Sequence, residues 1–62
     1  MKDNNVKSYE VEFESTTYRR YYIDAKNEME AEAIASKELD SDLETSKEWK
    51  QNSRITYIEE LD

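Results

Sequence analysis

The chain contains neither glycine nor proline. Every reversal must therefore be made by residues with a full side chain and no preset φ. Asn, Asp, Ser and Thr are the residues that manage this, by tolerating left-handed geometry or by bonding side chain to local backbone. Turns are thus expected where those residues cluster, and the elements between them should be regular. Cysteine and histidine are also absent, which removes disulfides and any thiolate- or imidazole-based zinc site as means of holding a small fold.

Sixty-two residues suffice for one small domain with a thin core, burying about 60% of the surface its unfolded chain exposes. Without disulfides or such a metal site, stability must come from a well-consolidated mini-core or from self-association. A hydrophobic content of 35% and a charged content of 40% approach those of disordered chains. Against disorder stand one Trp, five Tyr, one Phe and clear apolar periodicity; only residues 1–5 read as a disordered amino terminus. No apolar run reaches the roughly 18 residues of a membrane span, and the first residues lack the apolar core of a signal peptide. The expected location is the cytoplasm, a host cytoplasm if the chain is phage-encoded.

Residues 6–14 alternate, with Tyr9, Val11 and Phe13 on one face and Ser8, Glu10, Glu12 and Glu14 on the other. A period of two is that of a strand with one wet face. Ser15, Thr16 and Thr17 make a polar break of hairpin length. Tyr18 to Ala25 is again rich in aromatic and β-branched residues, with Tyr21, Ile23 and Ala25 on the core face and Tyr18, Arg20 and Tyr22 opposite. Asn27 then opens a helix: its side chain can accept from first-turn amides while Glu30, three residues on, reaches back. Ala31, Ile34, Ala35 and Leu39 recur at spacings of three and four, a narrow stripe suited to lying on a sheet, with Leu43 as a candidate extension. Thr45 followed by Glu48 suggests a second capping box, and Trp49 an anchor for a short helical turn at 46–51. Residues 54–61 return to strand character. Ile55 and Tyr57 share a face in a regular strand and Ile58 breaks the alternation, which calls for a bulge or an early end.

The expected order is β-β-α-β. With the helix crossing in the usual right-handed sense, the third strand falls beside the first, antiparallel to it and parallel to the second. The fold class is then α+β: two layers, a three-stranded sheet of order 2-1-3, one main helix on one face, and the other face uncovered.

The run from Val6 to Ala35 resembles the DpnD/PcfM-like small domains of bacteria, phages and mobile elements. The likeness covers about residues 6–39 and lies in a strand, a second strand ending in Ala25, the polar link at Asn27, and a helix carrying Glu30 and Ala31. It implies this fold and a phage or mobile-element context, and carries no catalytic residues. The carboxy-terminal part around Trp49 does not match it.

Chemistry is sparse. Without His or Cys there is no Ser-His-Asp or Cys-His arrangement, no Ser-x-x-Lys occurs, and a single thin domain offers no cleft for paired carboxylates to act in. A calcium loop starting at Asp40 would need glycine sixth and glutamate twelfth; Thr45 and Gln51 stand there. No enzyme, cofactor or metal site is expected. Tyr18-Arg-Arg-Tyr-Tyr22 has the composition of a base-stacking platform, but Glu10, Glu12 and Glu14 on the adjacent strand repel phosphate, which argues against direct nucleic-acid binding.

What stands out is charge. Residues 27–44 carry seven carboxylates against the single base Lys37, while residues 1–26 balance five acids with five bases. Glu28 and Glu30 suit the positive end of the helix dipole; Asp40, Asp42 and Glu44 sit at its negative end, where acids are unfavourable. The expectation is a small acidic interaction protein whose candidate surface comprises Glu38, Asp40, Asp42, Glu44, Tyr18 and Tyr22. The partner is not identified by the sequence; a homodimer through the open sheet face or an edge strand is one candidate. The alternative function is an acidic decoy, a nucleic-acid mimic that inhibits a host nucleic-acid-binding protein, with Glu28, Glu32, Glu38, Asp42 and Glu44 along one ridge.

Overall fold

The computed structural model describes residues 6–61; the expectation for residues 1–5 lies outside them. Five elements follow in order: β1 (Lys7–Glu14), β2 (Tyr18–Ala25), α1 (Glu28–Ser41), α2 (Lys47–Asn52) and β3 (Arg54–Glu60). The strands form one open sheet of order β2-β1-β3, and both ladders are antiparallel. The fold is α+β, with α1 as the main helix.

The absence of glycine shows in the turns. No described residue has positive φ, so the left-handed option open to Asn and Asp is not used. The β1–β2 hairpin closes through three residues with the Ser15 N–H donating to the Thr17 carbonyl at 2.9 Å. At the start of α1 the Glu30 N–H donates to Asn27 Oδ1 at 2.8 Å, and Glu30 Oε1 accepts from the Lys26 N–H at 3.1 Å. The Asn27 half of the anticipated exchange forms and satisfies an amide that the first helical turn would otherwise leave unpaired, while Glu30 reaches back one residue further than a capping box requires, to Lys26 rather than Asn27.

The core follows from the alternation of β1. Tyr9, Val11 and Phe13 are buried with Ile23 and Ala25 of β2, and α1 lays Ala31, Ala35 and Leu39 on them. The two alanines let the helix backbone approach the sheet. Phe13 and Tyr21 meet edge to face, ring centroids 5.8 Å apart, a geometry that aromatic quadrupoles favour. Tyr21, Ile34, Trp49, Ile55 and Ile58 close the rim of this cluster. Each fully covered aliphatic or aromatic side chain contributes about 1.5–3 kcal/mol, so few residues carry the domain.

Three local expectations are corrected. Leu43 does not extend the α1 stripe: the helix ends at Ser41 and Leu43 is 97% exposed. The cap of α2 is Ser46, whose Oγ accepts from the Trp49 N–H at 3.1 Å, while Thr45 is buried. Capping from Ser46 places Trp49 so that its indole Nε1–H donates to Thr17 Oγ1 at 3.1 Å, pinning α2 to the hairpin. In β3 a bulge does occur, and it reassigns the faces. Phe13 pairs with Ile55 but Glu12 pairs with Tyr57, leaving Thr56 as the extra residue. Ile55 and Ile58 therefore share the core side, and Tyr57 turns to the opposite one.

Candidate functional site

The expected site residues divide between two places on opposite sides of the sheet. Glu38, Asp40, Asp42 and Glu44 gather at the carboxy-terminal end of α1. Tyr18 and Tyr22 lie on the sheet face that no helix covers.

At the helix end the four acids do not behave alike. Asp42 turns inward, its side chain 19% exposed. Its Oδ2 accepts from the Tyr21 hydroxyl at 3.0 Å and pairs with Arg19 Nη1 at 3.3 Å; its Oδ1 accepts from the Glu44 N–H at 2.9 Å. The Glu44 amide first, then the Tyr21 hydroxyl, hold this carboxyl below its ordinary pKa, with Thr45 and Arg19 adding to the effect. The buried Thr45 hydroxyl lies close enough to support the ionised carboxyl, yet makes no well-formed hydrogen bond to any described residue. Burial, and then Asp42, push the Tyr21 phenol pKa up. The last turn of α1 contains no base, but other elements supply two: Arg19 from β2 and Lys50 from α2, whose Nζ donates to the Asp40 carbonyl at 2.8 Å. Tertiary structure thus answers the unfavourable end of the dipole. Asp42 is a cap that ties α1 to β2; Glu38, Asp40 and Glu44 remain exposed.

The open face is a grid set by register. Along β1 run Ser8, Glu10, Glu12 and Glu14; opposite them on β2 stand Asp24, Tyr22, Arg20 and Tyr18. On the other side Glu59, Tyr57 and Arg54 stand opposite Glu10, Glu12 and Glu14. A row of glutamates is therefore bordered by tyrosines, with Tyr18, Tyr22 and Tyr57 exposed by 62%, 67% and 43%. Arg20 Nε lies 3.0 Å from Glu12 and 3.9 Å from Glu10, and Arg54 lies 3.7 Å from Glu14. The Tyr57 hydroxyl donates to Glu59 Oε1 at 2.7 Å. The pKa of Tyr18 is raised chiefly by its hydrogen bond to Glu14 and that of Tyr57 by its bond to Glu59, so both phenols stay protonated beside carboxylates. Glu12 similarly raises the pKa of Arg20. Glu12, Tyr18 and Arg20 border a shallow, open depression of about 500 Å³.

Sequence reasoning placed Tyr18 and Tyr22 on this face but missed Tyr57, Glu59 and Arg54 as its third row. The available signal was Ile58, whose break in alternation moves Tyr57 across once the extra residue is assigned to Thr56. Among the described residues no group of three or more Asp or Glu is arranged to hold a metal ion, and no helix is long and apolar enough to cross a membrane.

A scan against protein-family models finds no match, and comparisons with curated proteins and with solved structures likewise find nothing similar. None of these comparisons bears on the resemblance to DpnD/PcfM-like domains.

Proposed function

We propose that the chain is a non-enzymatic protein–protein interaction module, of the phage or mobile-element kind its resemblance suggests, acting in the cytoplasm through the open face of its sheet. The observation that supports this reading is the one-sided cover of the sheet: α1 packs on one face, and the other offers Tyr18, Tyr22 and Tyr57 to solvent. Tyrosines supply large, stiff contact area with a polar tip, which is why they recur in recognition surfaces. The test is affinity capture from a bacterial lysate with wild type and with a Tyr18→Ser/Tyr22→Ser variant. The reading expects a specific partner lost with the variant while its thermal melt is retained. Equal capture by both chains refutes it, as does turnover in a broad hydrolase screen.

The alternative, an acidic decoy for a nucleic-acid-binding protein, draws support from Glu38, Asp40 and Glu44, which stay exposed beside Leu43. The helix does not align its acids on one ridge, however. Glu32 and Glu38 are six residues apart and so about 120° apart around the axis, Glu30 is taken by the amino-terminal cap and Asp42 by Tyr21 and Arg19. Loss of binding on Glu28→Gln/Glu32→Gln/Glu38→Gln, with the tyrosine variant unaffected, would reverse this ranking.

A further inference from the structure

We infer that the occupant of the open face is an extended, cationic segment of another protein, carrying Arg or Lys at every second position and laid along the glutamate row of β1. This deepens the interaction-module reading and rests on it.

Three features point to that chemistry. The first is sign. The face carries Glu10, Glu12, Glu14, Asp24 and Glu59 against Arg20 and Arg54, a net charge of −3. A second copy docked face to face would bring like charge onto like charge, which costs rather than stabilises.

The second is a pair that folding does not explain. Glu10 and Glu59 stand directly opposite each other on β1 and β3, an arrangement of like charges that destabilises a sheet. Among the described residues Glu10 has only the distant Arg20 Nε, at 3.9 Å, as a cationic partner. Glu59 accepts from the Tyr57 hydroxyl and forms no ion pair with any described residue. A guanidinium or ammonium from outside would relieve both.

The third is spacing. Glu10, Glu12 and Glu14 repeat about every 6.7 Å along an extended strand, the interval at which alternate side chains of an extended partner segment recur. Exposed rings at Tyr22 and Tyr57 border that row, and an Arg plane can stack on a tyrosine while its N–H fork meets a carboxylate.

The test uses the full chain and two probes, an (Arg-Thr)4 peptide and its (Glu-Thr)4 counterpart, followed by amide chemical shifts and calorimetry at low and high salt. The inference expects shifts centred on Tyr18, Arg20, Tyr22, Tyr57 and Glu59 with the basic peptide, none with the acidic one, and weakening as salt rises. A Glu10→Gln/Glu59→Gln variant removes the like-charge repulsion, keeps an amide oxygen to accept from the Tyr57 hydroxyl and gives up only the 3.9 Å contact with Arg20; it should bind the basic peptide at least tenfold more weakly and melt close to wild type. Shifts centred instead on Glu28, Glu32 and Glu38 of α1, or undiminished affinity in that variant, would overturn the inference. So would concentration-dependent self-association that produces the same open-face shifts without peptide. If Tyr18→Ser/Tyr22→Ser abolishes capture of the native partner while Glu10→Gln/Glu59→Gln leaves it intact, the interaction face stands and the cationic occupant falls. If neither variant affects capture, both fall.

Discussion

On the helix side of the sheet, Tyr9, Val11 and Phe13 are buried against Ala31, Ala35 and Leu39. On the other side, Glu10 and Glu12, the residues between them in the chain, hold carboxylates at the edge of water beside exposed tyrosine rings. One strand thus serves two environments, and they differ in what holds their side chains in place. On the buried side it is packing, collective and insensitive to salt or pH. On the open side it is paired charge and phenol–carboxylate bonds, each weak because the arginine and tyrosine members stand exposed to competing water. Stability should therefore reside on one face and be nearly absent from the other, which leaves the open face free to vary its chemistry toward a partner.

The largest expected effect tests that division directly. Phe13→Ala removes a buried ring and should cost about 3–5 kcal/mol. A domain of this length has about 3–9 kcal/mol in total at typical values per residue, so the variant should show little or no cooperative urea transition. Tyr22→Ala, on the strand beside it but on the open face, should change stability by about 0.5 kcal/mol or less. Comparable losses from the two substitutions would break the comparison.

Asp42 belongs to the helix side by contact and to the polar world by chemistry, and pH separates the two contributions. Its pKa is depressed in the folded state, so the folded protein binds fewer protons than the unfolded chain where this group titrates. Its contribution is present above the ordinary carboxylate value, about 3.9 for Asp, and disappears as pH falls through the lower folded value. Asp42→Asn should melt below wild type at neutral pH, with the gap closing as acid protonates the wild-type carboxyl. Melting curves taken across that range check it; a constant gap would assign the effect to hydrogen-bond geometry rather than to charge.

These elements also show what could be read from the sequence and what could not. β1, β2, the Asn27 cap and the α1 stripe were legible because each depends on neighbours within four residues, where periodicity and capping chemistry act. Asp42 read as part of an acidic interaction surface rather than as a cap, because Tyr21 and Arg19 reach it from more than twenty positions away in the chain. Thr45 and Ser46 are both good caps one residue apart; the choice was made by Trp49 reaching Thr17 on the hairpin, a tertiary contact. The tyrosine pair was visible in β2, but its third member waited on the register of β3.

Thr45 allows a smaller test of the same boundary. Its hydroxyl is covered without a well-formed hydrogen bond to any described residue, and a fully unsatisfied buried group costs about 1–3 kcal/mol. Thr45→Val should raise stability by about 1 kcal/mol, the lost support for ionised Asp42 taking back part of the gain. Urea denaturation measures it, and a loss on substitution would show that the hydroxyl serves Asp42 more than it strains the core.

The smallest effect is expected from deleting a residue. With Thr56 removed, Arg54, Ile55, Tyr57 and Ile58 become consecutive, and regular alternation then gives Ile55 and Ile58 to the core and Tyr57 to the open face, as the bulge does now. If the bulge serves only to reconcile sequence with register, the deletion variant should unfold with a urea midpoint close to wild type and retain Tyr57 fluorescence quenching by aqueous iodide. A cooperative transition lost on deletion would mean that the added twist of the bulge is what brings β3 onto the core. The two faces would then be set by strand curvature as well as by alternation.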